Sequence, residues 1–261
     1  MSRSAPFDET AQRVHDYRHL IARWRGVART AGLKLEAFAQ AGEYPIYALN
    51  TRDPADGGLY VSAGVHGDEP AATEGLLQWA EARLPALVRG RRTLPLLILP
   101  CLNPWGLVNN RRSNEQGEDL NRIFDRHDVT PVGETIKLLG RRRFDLALHL
   151  HEDYDARGTY LYEIHRRAPD WGAELLARCR EVLPVESRRS IEGRSFRNGV
   201  LLRRRNLDLP FCPEALPLYY RHAPHVITFE TPSEFSLARR VRAHVLLVEE
   251  CVRRLQSERS G

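Results

Sequence analysis

Apolar and polar positions along the chain mark out an ordered series of elements. Between Thr10 and Thr30 the apolar residues recur at helical spacing and Gly32 closes the run, after which Tyr44 to Leu49 reads as extended. Leu59 to Val65 reads as a buried strand, and Pro70 opens a helix through Leu84, because proline suits the first helical turn. Leu94 to Leu99 predicts a second buried strand. The pattern then predicts a helix over Thr130–Leu139, strands over Phe144–Leu150 and Thr159–Ile164, and a helix over Ala168–Leu183. A core strand over Val226–Phe229 and an amphipathic helix over Ser236–Leu255 close the chain.

Two stretches follow neither period. Asn103 to Arg122 is polar and rich in asparagine and glycine, and a loop of that length calls for a functional reason. Glu186 to Pro217 is irregular and arginine-rich and reads as an exposed insertion or lid. Strands alternating with helices predict an α/β fold, three layers α/β/α around a central mixed, largely parallel sheet. In such sheets ligands bind beyond the carboxyl ends of the strands. With 261 residues and no linker-like boundary, one domain spanning residues 1–261 is expected.

Composition narrows the class of partner. With 42% hydrophobic and 28% charged residues the chain has the balance of a globular protein, so it needs no membrane or partner to bury a core. Its net charge of +5 comes from arginine, since Lys34 and Lys137 are the only lysines. The runs Arg91-Arg92, Arg141–Arg143 and Arg203–Arg205 are not interleaved with aromatic residues and belong to no nucleic-acid module, so they read as solvated surface and no nucleic-acid partner is expected. Cys101, Cys179, Cys212 and Cys251 form no CxxC pair, which argues against both a thiolate zinc site and a disulfide framework and fits a reducing compartment. The N-terminal residues lack the apolar core of a signal peptide, and the longest apolar run, LPLLILPCL, is too short to span a bilayer. A cytoplasmic enzyme without a membrane partner is the expectation.

Candidate chemistry sits where the pattern changes. His66-Gly-Asp-Glu69 occupies a strand-to-helix turn, and a histidine and a carboxylate three residues apart there can converge on one ion. Catalytic zinc takes three nitrogen or oxygen ligands and leaves a fourth position to water. In Asp145-Leu-Ala-Leu-His-Leu-His151 both histidines point to one side of a strand. His151, nearer the strand end, is the one placed to reach a metal, while His149 either orients it or sits in the core. Glu230 ends the apolar strand before Thr231-Pro232, where a carboxylate facing a metal-bound water has a proton to take. The loop with Arg111-Arg112 and Asn121-Arg122 supplies guanidinium forks suited to a carboxylate, whereas Asn103, Asn114 and Gly117 are explained as well by turn formation.

Taken in order, HGDE, the NPxG…RxN…GxDLNR loop, the DLxLxLH strand and the TFETP strand resemble the zinc carboxypeptidase family, which includes murein peptide amidases and the aspartoacylase and succinylglutamate desuccinylase branch. The resemblance spans His66 to Glu230. It implies that His66, Glu69 and His151 bind one zinc ion and that Glu230 is the general base and acid. It further implies that Arg122 polarises the scissile carbonyl while Arg112 and Asn121 grip a substrate carboxylate. Two features depart from the family. Ile123 stands where the carboxypeptidase branch often has another asparagine, and the mobile substrate-contacting tyrosine is left open among Tyr160, Tyr162, Tyr219 and Tyr220. The implied reaction is hydrolysis of an amide bond beside a free carboxylate, in a peptide or an acyl-amino acid. Acyl-amino-acid hydrolases of the family usually carry a sizeable domain after the glutamate, and about 30 residues remain here, so a metallocarboxypeptidase or peptide amidase is the leading expectation.

Overall fold

A computed structural model describes residues 13–51, 57–90, 94–166, 170–191, 193–204 and 209–259. The first residues of the predicted opening helix, Thr10 to Gln12, lie outside these ranges, as do Ala168, Arg91, Arg92 and Arg205. Helix α1 (Tyr17–Ala31) begins where the Asp16 side chain accepts from the His19 N–H at 2.8 Å, and it ends at Gly32, whose φ of 69° is the left-handed conformation glycine takes without cost. Strands β1 (Leu35–Ala41) and β2 (Tyr44–Asn50) form a hairpin. Next come β3 (Leu59–Ala63), α2 (Pro70–Arg89), β4 (Leu96–Leu99), α3 (Pro104–Asn109), a single 3₁₀ turn at Leu120–Arg122, and α4 (Val132–Leu139). The second half contains β5 (Leu146–Asp153), β6 (Tyr160–His165), α5 (Gly172–Cys179), a small hairpin of β7 (Ser190–Ile191) and β8 (Arg194–Ser195), and β9 (Val200–Arg203). It closes with α6 (Ala215–Arg221), β10 (His225–Pro232) and α7 (Leu237–Glu258).

Among the described residues, eight strands join in one sheet in the order β1-β2-β4-β3-β5-β10-β6-β9. The centre, β4-β3-β5-β10, is parallel, and antiparallel pairs bring in β2 on one side and β6 on the other. Each central strand sends alternate residues to opposite faces. Leu59 and Val61, Leu96 and Ile98, Leu146 and Leu148, and Ile227 and Phe229 pack under α1, α2, α5 and α7. Tyr60, Leu97, Leu99, Ala147 and Val226 pack under α4, α6 and the loop that holds Leu120 and Phe124. The result is the predicted three-layer α/β/α arrangement around a mixed sheet.

Three local expectations need correction. β1 was not predicted: Leu35–Ala41 is a half-exposed edge strand whose alanines, glutamate and glutamine favour no strand by themselves, and its pairing with β2 creates it. The stretch Asn103–Arg122 is not all loop, because the Asn103 side chain accepts from the Gly106 N–H at 2.9 Å and Pro104 starts α3. The segment Glu186–Pro217 is not a detached insertion. Its β9 extends the main sheet along β6, and its α6 covers β5 and β10 on the face that carries Ala147 and Val226.

Candidate metal centre and substrate cavity

Parallel strands ending side by side bring the predicted ligands together. After β3 the chain turns through Gly64 to Pro70, and a Cβ added to Gly67 would fall 1.9 Å from the carbonyl carbon of Gly106, so only glycine lets this turn lie against α3. The close contact fixes His66 and Glu69 on either side of it. His66 Nδ1 lies 2.6 Å from Glu69 Oε1, and His151 Nδ1, near the end of β5, lies 2.9 Å from Glu69 Oε2. One ligand atom from each of the three lies within 4.8 Å of the others, and among the described residues this is the one such group of histidine, cysteine or acidic side chains. All three side chains are buried.

The donor set suits a divalent cation. His66 Nε2 stands 3.1 Å from Asp119 Oδ1, so a ring that gives its Nε2–H to Asp119 presents the Nδ1 lone pair where Glu69 and His151 converge. Two imidazole nitrogens and a carboxylate are the ligand types zinc takes in catalytic sites. Burial pushes the Glu69 carboxyl up, but the two imidazoles outweigh it and hold the acid well below the usual carboxylate range. Asp119 is likewise held low against its burial, by His66, Arg112 and Arg122. For His151 burial prevails and lowers the ring below the ordinary histidine value, whereas Glu69 and Asp119 raise His66 despite its burial.

All seven residues singled out in the sequence line one cavity of about 340 Å³: His66, Glu69, Arg112, Asn121, Arg122, His151 and Glu230. Glu230 is the register partner of His151 across the β5–β10 pair, and Tyr160 faces it from β6. Arg112 Nη1 is 3.6 Å from Glu69 Oε1, and its Nε donates to Asp119 Oδ2 at 3.0 Å. The Arg122 guanidinium lies 4.5 Å over the Phe211 ring and 4.0 Å from Asp119 Oδ2. Asn121 Oδ1 accepts from the Glu214 N–H at 2.9 Å, which fixes the orientation of its amide. Asn103 and Asn114 serve the turns: Asn103 donates to the carbonyls of Arg112 and Ser113, and Asn114 Oδ1 accepts from the Gln116 and Glu118 N–H groups. Of the four tyrosines left open, Tyr160 and Tyr162 line this cavity, and Tyr219 and Tyr220 line a separate one beside Phe144 and Pro224.

Sequence reasoning missed three carboxylates. Asp119 stands inside the DLNR motif, where nothing in its local spacing distinguishes it from a turn-capping aspartate. Glu152 follows His151 but points to the other face, accepting from the Ala71 N–H at 2.6 Å and from Arg240, and burial raises its pKa to about 7 against that arginine. Glu214 gave no local signal, lying in the irregular segment far from the motifs it supports. His149 does not orient His151, because its Nδ1 turns to Ser62 Oγ at 3.0 Å and Glu214 Oε2 at 3.1 Å.

Residues 56–187 match the family model for the succinylglutamate desuccinylase/aspartoacylase catalytic domain. The chain belongs to this family. Searched against curated proteins, the sequence finds no match. Among solved structures, one from Shewanella amazonensis SB2B, provisionally described as a metallopeptidase, is 25% identical with a TM-score of 0.79, covering 93% of this chain and 94% of that one. A second, from Shewanella denitrificans OS217 and described in the same way, is 22% identical with a TM-score of 0.82 over 98% and 99% of the two chains. A carboxypeptidase A from Helicoverpa armigera shares the fold at 14% identity and a TM-score of 0.66, over 93% of this chain and 73% of that one. Membership in the succinylglutamate desuccinylase/aspartoacylase family, within the carboxypeptidase-like superfamily, makes the chain an enzyme of the hydrolase class. Among its described residues no helix is long and apolar enough to cross a membrane.

Proposed function

We propose that the protein is a single-domain, zinc-dependent hydrolase that cleaves an amide bond beside a free carboxylate. The observation that carries this reading is the register match of Glu230 with His151, which sets a carboxylate one strand away from the group of His66, Glu69 and His151. A zinc ion held by these three would supply Lewis acidity and a water that loses its proton near neutral pH. Glu230 would take that proton and return it to the leaving amine. Asp119 would hold His66 in the tautomer that leaves Nδ1 free, and it would hold Arg112 by the same carboxylate.

The distances favour a division of labour between the two arginines opposite to the one the resemblance implies. Arg112 is 3.6 Å from Glu69 and so stands next to the ligands, where charge develops on the scissile carbonyl oxygen. Arg122 follows Asn121 and stacks on Phe211, a placement suited to gripping the substrate carboxylate together with the Asn121 amide. Arg112→Lys should therefore depress kcat chiefly, and Arg122→Lys should raise KM chiefly.

Two substrate classes satisfy this chemistry. The full-length likeness to proteins described as metallopeptidases supports a peptide whose C-terminal residue leaves. The family model supports an acyl-amino acid, in which a free amino acid leaves from a short acyl group. Zinc-loaded protein should hydrolyse members of a panel containing acetyl-aspartate, succinyl-glutamate, dipeptides and cell-wall peptides. Failure on all of them would refute the reading, and the preferred member separates the two classes. A cytoplasmic location is part of the proposal, supported by four cysteines that are all free thiols.

A further inference from the structure

Two residues before His151 in β5, at the next level into the sheet, His149 faces the same cavity. The register places Ser62 of β3, Thr228 of β10 and Tyr162 of β6 at its level. Its ring is only 1% exposed. Glu214 Oε1 accepts from the Tyr60 hydroxyl, and Glu214 Oε2 accepts from Ser62 Oγ at 3.0 Å. With the Ser62 proton given to Glu214, Nδ1 of His149 is a donor, shared between the Ser62 oxygen at 3.0 Å and Glu214 Oε2 at 3.1 Å. Ser62 and Glu214, the latter held in turn by Tyr60, therefore fix the ring in place. Its other nitrogen, Nε2, is buried and has no hydrogen-bond partner among the described residues. Buried polar atoms in folded proteins nearly always have partners, and an unpartnered one on a residue that lines a cavity is a place for a ligand atom.

We propose that His149 is a specificity-determining residue whose Nε2 hydrogen-bonds the polar end of the leaving residue's side chain. The inference rests on the amide hydrolysis proposed above. Glu214, which orients His149, also gives its backbone N–H to Asn121, so the group that reads the side chain and the group that grips the carboxylate share one support. A leaving residue anchored by its carboxylate at Asn121 and Arg122 directs its side chain toward Thr228, Tyr162 and His149. The step from the level of His151 to that of His149 is two strand residues, about 6.6 Å, within reach of a side chain the length of glutamine, whose amide N–H can donate to Nε2. An apolar side chain there would seal Nε2 away from any partner, and that penalty makes the site discriminate.

The test compares zinc-loaded wild type on substrates that differ only in the leaving residue: glutamine against isosteric homoleucine, and asparagine against leucine, because Nε2 accepts and an amide N–H donates. The amide member of at least one pair should exceed its apolar isostere about 10- to 100-fold in kcat/KM. In His149→Asn the amide replaces Nδ1 and leaves nothing at the Nε2 position, so the ratio should fall toward one. In His149→Gln the amide sits where Nε2 was, so part of the ratio should return. Wild type favouring the apolar isosteres, or a zinc-loaded, folded His149→Asn with an unchanged ratio, would overturn the proposal. Binding of the free amino acids, measured by calorimetry on wild type and His149→Asn, keeps the two readings apart. If wild type cleaves nothing, the hydrolysis reading fails, and the change in polar-over-apolar binding still decides the role of His149.

Discussion

Glu230 and His151 stand as register partners in neighbouring parallel strands, with Phe229 and Leu150 paired one step earlier on the opposite face. Strand neighbours lie about 4.8 Å apart, so the sheet itself sets the spacing between the candidate base and the candidate ligand. Glu230→Gln preserves the shape of the side chain and removes its ability to take a proton. It should lower kcat by about 10²- to 10⁴-fold while zinc content and product binding stay near wild type. Steady-state kinetics with elemental analysis checks this, and unaltered turnover in the zinc-loaded variant would remove Glu230 from the chemistry.

Asp119 supports both His66, at 3.1 Å, and Arg112, at 3.0 Å. Asp119→Ala should weaken zinc binding by about 10- to 100-fold, because the histidine ligand loses the group that fixes its tautomer. Competition with a metal-binding dye measures the change directly. Zinc affinity equal to wild type would mean that Asp119 serves Arg112 alone.

Gly67 is pressed against α3, with the Leu107 backbone nitrogen 2.2 Å from where a Cβ would stand. The three nearest atoms, from Gly106 and Leu107, are all backbone, so none can swing aside. Gly67→Ala should cost about 1–3 kcal/mol or more in stability and should reduce zinc retention, since the same turn carries His66 and Glu69. Thermal unfolding of the metal-free and zinc-loaded forms separates the two effects. A melting temperature equal to wild type in both forms would show that the turn can move off α3.

Glu186 begins the segment that includes the β7–β8 hairpin. It accepts from the N–H groups of Arg157 and Arg188, each within 2.9 Å, and pairs with the Arg188 guanidinium at 2.9 Å. Burial raises its pKa, yet the Arg188 side chain and the two N–H groups outweigh burial and hold it at about 2, below the ordinary 4.5. Because the unfolded chain binds this proton more readily, the stabilisation is complete above about pH 4.5 and is lost as pH falls through about 2. Glu186→Gln should therefore be less stable than wild type at pH 7 by about 2–3 kcal/mol, and the gap should close across that acid window. Denaturant titrations at several pH values test it, and a gap that stays constant down to pH 2 would contradict the assignment.

Much of the site was readable along the chain because its parts carry local signatures. A glycine turn before a proline-started helix placed His66 and Glu69 at a strand end, the position nearer its strand's end distinguished His151 from His149 on the same side, and an apolar strand broken by a carboxylate marked Glu230. Strand and helix periods likewise sufficed for the layered α/β class, since each buried face must find a covering element.

What only tertiary structure decided are relations between residues far apart in sequence. The union of Glu214 with His149 and Asn121, the division of Asp119 between a histidine and an arginine, and the edge strand β1 arise when separate segments are packed together. Hydrogen bonds of this kind are chosen by distance in the folded chain, which no spacing along it encodes. Periodicity records which face of an element is buried, and folding alone determines which polar groups meet there.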